Sequence, residues 1–299
     1  MSLTIHTVVS RPGPVERRVL ERLSPTTSEV RRIGAGVALR VLETPQVAAP
    51  TRLALVHGRG HAATLWEPIL RAFAPERRVV APDLPGFGHS GFLDGPVGGP
   101  EDALDRFVAP IEDLLAAEGP IVLVGHSLGG LVSLEIALRR RVDVRGLVLV
   151  ASMGLSPYVS PTARAYLRFG PERAARLNRF LGRAPRGLTG AAVPELGQLR
   201  VELHLARHAA KLAKPAFDAL VPIAGDGLNR RDRLGEVRVP TLLVWGSNDE
   251  AFPLPIAMDA ETRLADAELA VIGEGHTPHL AEPDAVIDRL RAFLSARGL

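Results

Sequence analysis

The stretch "IVLVGHSLGG", residues 121–130, decides how this chain is read. Four apolar residues, Ile121 to Val124, stop at Gly125, and from Ser127 the segment "SLGGLVSLEIALRRR" repeats its apolar residues at helical spacing. A continuous apolar run bounded by glycine reads as a strand buried on both faces, and the change of period marks a sharp strand-to-helix turn. Gly125-x-Ser127-x-Gly129 is what a nucleophile elbow requires, with the serine held in a strained backbone conformation and glycines relieving the crowding around it. The Leu128 amide, at the helix start, lacks an intrahelical partner and points toward developing negative charge. Gly-His-Ser also occurs in "PGFGHSG", residues 85–91, yet Ser90 has no strand just before it, no helix after it and no glycine two positions on. Ser127 is the candidate nucleophile. With 29 glycines and 12 serines, a chance match to the pentad is roughly a one-in-nine event, so the weight rests on the strand-turn-helix context.

Working outward, similar apolar runs occur at 37–44, 52–58, 77–83, 145–151, 240–246 and 267–273. Helix-like segments lie between them, including 101–119, where Leu104, Phe107, Val108, Ile111, Leu114 and Leu115 share a face, and the closing "AEPDAVIDRLRAFLSARGL". Alternation of buried strands and helices predicts a doubly wound α/β architecture with a mainly parallel central sheet. The alternation breaks once, over residues 155–235, which contain no convincing strand and carry 14 basic against 6 acidic residues. That segment has a net charge of +8 and leaves −5 for the remainder, a composition shift that predicts a helical subdomain. Residues 1–28 precede the first expected strand and carry no functional reading.

Composition narrows the chemistry. The chain has 299 residues, 46% of them hydrophobic and 23% charged, the profile of a globular protein with a sizeable core. It contains no cysteine, which excludes disulfides, thiolate metal sites and a thiol nucleophile. The N-terminus has no basic segment ahead of an apolar run, and "GLVLVASMGL" is too short to cross a bilayer, so a cytoplasmic protein without membrane insertion is expected. Thirteen aromatics and no basic run interleaved with them argue against nucleic-acid binding. The partner expected is a small-molecule substrate.

In order, "LALVHGRG" with Trp66 downstream, "VVAPDLPGFGHS", "VLVGHSLGG", "PTLLVWGSNDEAFP" and "GEGHTPHLAEPDAV" resemble the α/β-hydrolase fold superfamily from about residue 33 to the end. The likeness is to the serine-nucleophile branch with a helical cap between the sixth and seventh core strands, where 155–235 fall. It implies a hydrolase core over 29–154 and 236–299, a cap over 155–235 and an extension over 1–28. It also implies Asp249 as the acid, with Glu250 as runner-up, and His276 as the catalytic histidine, with His279 beside it. An oxyanion hole would use the backbone N–H groups of Arg59 and Leu128. His57 is expected to organise its loop, His126 to point away from the site and Ser90 to sit in a structural turn.

The activity implied is cofactor-independent cleavage of a carboxylic ester or related acyl compound, with no metal. C–C bond hydrolysis or lysis of a carboxylate-bearing substrate, acyl transfer and non-catalytic ligand binding are the alternatives. Arg173, Arg176, Arg179 and Arg183 recur at helical spacing and read as a solvated face or, with His204 and His208, as groups for an anionic substrate. The pair His204 and His208 has no carboxylate at a spacing that would complete a metal site.

Overall fold

A computed structural model describes the chain except for residues 1–3, 7–10, 35, 162–163, 165–193, 206–212 and 223–225. In order, its elements are β1 (Thr4–His6), α1 (Pro14–Arg22), β2 (Thr27–Ile33), β3 (Val37–Glu43), β4 (Arg52–Val56), α2 (Glu67–Phe73), β5 (Val79–Pro82) and β6 (Phe92–Asp94). There follow α3 (Pro100–Ala116), β7 (Ile121–His126), α4 (Leu128–Arg139), β8 (Val144–Val150), α5 (Pro194–Leu205), α6 (Lys214–Leu220) and β9 (Thr241–Trp245). The last are α7 (Leu254–Arg263), β10 (Ala267–Val271), α8 (Pro278–Ala281) and α9 (Pro283–Ala296).

Eight strands form one sheet in the order β10-β9-β8-β7-β4-β5-β3-β2. The pairs from β10 through to β5 are parallel, and β3 and β2 join antiparallel. The apolar runs become strands because helices cover both faces. Along β7, Leu123 belongs to a buried cluster with α3 and α4, while Val122 and Val124 belong to a second cluster with α2 and α9. Successive side chains alternate between the layers, so a two-sided sheet needs continuous apolar sequence. The doubly wound, mainly parallel sheet expected from the sequence is present.

Four elements had no counterpart in the sequence reading. The first strand of the main sheet is β2, not 37–44; its residues are mostly exposed, and it forms the sheet's antiparallel edge against β3. β1 and β6 form a separate two-stranded ribbon, Thr4 opposite Asp94. Within residues 1–28 lies α1; its Val19 and the Leu23 that follows it are buried in the second cluster.

The chain moves from β4 to β5 on one side, then crosses to place β7 on β4's other flank. The carboxyl ends of β4 and β7 therefore flank the sheet's topological switch point, where open α/β sheets form their ligand crevice. Between β8 and β9 the described residues hold α5, α6 and a 3₁₀ turn at Arg231–Glu236. Among the described residues no helix is long and apolar enough to cross a membrane.

Candidate active site

Ser127 stands between β7 and α4 with φ 53° and ψ −116°, a left-handed conformation that L-residues seldom adopt. The turn is held from several sides: the Ser127 amide donates to the Val150 carbonyl (3.1 Å), and the Ser127 carbonyl accepts from Gly130 and Met153 (both 3.0 Å). A Cβ on Gly125 would overlap the Gly129 carbonyl, and one on Gly129 would overlap the carbonyls of Val56 and His57. The glycines are thus fixed by close backbone approach. Leu128 is the first residue of α4, so its amide has no intrahelical partner.

The structure brings Ser127, His276 and Asp249 into one hydrogen-bonded line. The Ser127 hydroxyl lies 3.0 Å from His276 Nε2, and His276 Nδ1–H donates to Asp249 Oδ2 at 2.9 Å. Because the carboxylate can only accept, Nδ1 carries the imidazole proton and Nε2 presents its lone pair to the serine. The other oxygen of Asp249 accepts the amides of Ala251 (2.8 Å) and Phe252 (3.1 Å), which fixes the carboxylate's direction. Asp249 is 4% exposed, while Ser127 and His276 are only partly covered. Glu250, the runner-up acid, is exposed, and its backbone carbonyl accepts from Ser160 Oγ (2.5 Å).

Arg59 lies on the loop after β4, beside the serine: a Cβ on the neighbouring Gly58 would stand 3.1 Å from Ser127 Cβ and 2.6 Å from His126 Nδ1. Its guanidinium sits 4.7 Å over the Phe217 ring of α6. His57 serves the loop, donating from Nδ1 to the Gly58 carbonyl (2.7 Å) and accepting the Leu84 amide at Nε2 (2.9 Å). Burial pushes it below the usual histidine range, although Asp83 opposes this. Ser90 is fully buried and donates to the Asp83 carbonyl (2.8 Å) while accepting the Arg40 amide (3.0 Å). It forms a turn away from the site.

His126 packs its ring 4.9 Å from that of His276 and donates from Nε2 to the backbone carbonyl of His276 at 2.9 Å. His279 packs its ring 4.5 Å from that of Trp66 and 4.5 Å from that of His126. The Arg173, Arg176, Arg179, Arg183 and His208 positions lie outside the described residues, as does the side chain of His204.

Two arrangements had no sequence signal, because their members are far apart in the chain. One is a buried charge network: Asp83 accepts from Arg40 Nε (2.8 Å) and Nη2 (2.9 Å), and Glu16 accepts from Arg40 Nη2 (3.0 Å), Thr64 Oγ1 (3.1 Å) and His89 Nε2 (2.6 Å). The other is a cluster of three buried imidazoles, His61, His126 and His279.

A model of the Alpha/beta hydrolase family matches residues 53–289. The chain belongs to the alpha/beta hydrolase family. It is 28% identical over 261 residues to the pimeloyl-acyl-carrier-protein methyl ester esterase of Vibrio atlanticus, an alignment covering 81% of this chain and 93% of that protein. A thermophilic esterase from Thermogutta terrifontis shares the fold with a TM-score of 0.69 at 24% identity, over 91% of this chain and all of that one (100%). The meta-cleavage product hydrolase of Pseudomonas fluorescens does so with a TM-score of 0.70 at 22% identity, over 90% and 97%. At these identities the two structures speak for the fold. By family and relatives, this alpha/beta hydrolase is a hydrolytic enzyme.

Proposed function

We propose that this alpha/beta hydrolase cleaves carboxylic esters through an acyl-enzyme on Ser127. The observation that carries this reading is the hydrogen-bonded line from Asp249 through His276 to Ser127. His276 Nε2 takes the proton as Oγ attacks the ester carbonyl, and Asp249 stabilises the imidazolium that forms. The Arg59 and Leu128 amides hold the oxygen of the tetrahedral intermediate. His276 then protonates the departing alcohol, and a water deprotonated by the same nitrogen releases the acid.

Residues 155–235 act as a cap that selects the acyl and alcohol groups, residues 29–154 and 236–299 form the catalytic core, and residues 1–28 are an extension that braces it. Two contacts support a lid placed against the reacting groups: Phe217 meets the Arg59 guanidinium, and Ser160 reaches the residue after Asp249. The relative from Vibrio atlanticus is a methyl ester esterase by name, in keeping with ester chemistry.

A panel of p-nitrophenyl esters of increasing chain length tests the reading. Turnover of at least one ester, a loss of at least about 10³-fold on Ser127→Ala and fluorophosphonate labelling mapped to Ser127 are expected. Absence of turnover on every ester, or labelling of Ser90, would overturn it.

A further inference from the structure

The fold gathers three histidines that sequence keeps apart. His61 follows β4, His126 ends β7 and His279 lies in α8, and they are 5%, 2% and 2% exposed. Each brings one ring nitrogen within 4.8 Å of the nitrogens of the other two. The ring centroids of His61 and His126 are 5.3 Å apart, and those of His126 and His279 are 4.5 Å apart. In all three rings Nδ1 is buried and has no hydrogen-bond partner. Buried polar atoms are nearly always satisfied, so three together call for a common explanation.

We propose that His61, His126 and His279 form a binding site for one divalent late transition-metal ion, for which zinc is the best fit. Imidazole nitrogens suit zinc, copper and nickel, whereas calcium and magnesium require oxygen ligands that this cluster does not contain. The tautomer of His126 is already set for the purpose. Its Nε2–H is committed to the His276 carbonyl, which leaves the Nδ1 lone pair to bind. A ligating histidine commonly donates its other N–H to a backbone carbonyl in just this way, and the bond orients the ring.

Zinc bound at ~2.0–2.1 Å in a tetrahedron sets its nitrogens about 3.4 Å apart, so the nitrogens, which lie within 4.8 Å, converge by up to about 1.4 Å on binding, chiefly by reorientation of the rings.

The fourth coordination position is left to a water molecule or an anion, and the charge of Arg200 of α5 acts on both His61 and His279. Its Nη1 is another buried nitrogen with no hydrogen-bond partner. A guanidinium repels a bare dication, but it stabilises a hydroxide or chloride bound to one. An ion with three imidazole ligands would therefore carry one such anion in its fourth position. His57 and His276 are the other titratable groups whose fields act on the cluster, and neither carries a negative charge.

The test uses the untagged full-length protein, stripped with EDTA and dialysed. Titration with zinc chloride, followed by calorimetry and metal analysis, is expected to show one equivalent bound, and cobalt(II) is expected to give the visible absorption of a tetrahedral centre. His61→Gln and His279→Gln should each weaken zinc binding at least about 100-fold, with folding checked by circular dichroism. The double variant His204→Gln/His208→Gln should bind as wild type. Anomalous diffraction at the zinc edge from wild-type crystals provides a check that needs no variant, with a peak expected among the three rings. No stoichiometric binding, a peak elsewhere, or binding lost with His204 and His208 but kept in folded His61→Gln would overturn the proposal. Every one of these readouts is independent of the ester-hydrolase reading.

Discussion

Ser127 shows how much one residue's surroundings decide. Its left-handed backbone is held by hydrogen bonds from β8 and the turn after it, and Gly129 lets β4 pass close to α4. Gly129→Ala puts a methyl group against two backbone carbonyl oxygens, that of Val56 in the central sheet and that of His57 just beyond it. The variant is expected to lose about 3 kcal/mol or more, read as a lower urea midpoint. Asp249 differs in kind, since its two oxygens divide their work between the Ala251 and Phe252 amides and His276. On the proposed mechanism, Asp249→Asn keeps the turn but favours the wrong imidazole tautomer, and kcat should drop by about 10⁴-fold. Retention of activity within tenfold would move the acid's role to Glu250. The elbow motif itself was legible in sequence because strand, turn and helix are contiguous there.

At the scale of elements, α1 explains the N-terminal segment that composition left without a reading. Its N-terminus is capped by Glu202 of α5, which accepts the Val15 and Glu16 amides (both 3.0 Å). Glu195 of the same helix pairs with Arg18 (2.8 Å) and Arg22. From α1, Glu16 reaches into the core and joins Arg40, Thr64 and His89, so one short helix bridges α5 and the sheet. Glu16→Ala leaves Arg40 its pairing with Asp83 but strips His89 of its carboxylate. A loss of about 3 kcal/mol in chemical denaturation is expected. Glu202→Gln keeps one acceptor at the cap but turns the other into an amide NH2 facing a backbone N–H and removes the charge, at a cost of about 1–3 kcal/mol. The strongly periodic α3 and the buried strands were readable from sequence. β2 was not, because an exposed edge strand such as "TSEVRRI" needs no apolar run, and β6 and β1 were not, because each has only three residues.

Across the whole molecule, long-range pairs set the response to pH. Burial works against a charged His89, but the Glu16 carboxylate outweighs it, so the folded protein holds the proton more tightly than the unfolded chain. A raised folded value means the contribution is complete below the unfolded pKa of about 6.5 and is lost as pH rises through the folded value. The melting temperature should therefore decline as pH rises above about 6.5, and His89→Gln should flatten that slope. A His89→Gln variant with the wild-type slope would remove His89 as the cause. The three-histidine cluster gives a second whole-molecule expectation. A dication bound there lies near His276, whose ring centroid is 4.9 Å from that of His126. On the ester-hydrolase reading it opposes the imidazolium, so zinc is expected to slow turnover and EDTA to restore it, measured on the best p-nitrophenyl ester.

The sequence by itself determined the layered architecture and the strand-turn-helix pattern around Ser127, while the candidate acid and histidine followed from the motifs that resemble the family. Each of these is written in contiguous residues, as a period of apolar side chains or a short motif around a turn. Only the tertiary structure decided that Asp249, not Glu250, meets His276 and that Ser90 is locked in a turn. It alone joined Glu16 to Arg40 and His89, and His61 to His126 and His279. Those partnerships depend on where the switch between β4 and β7 carries segments far apart in the chain, and burial then sets the chemistry of each group.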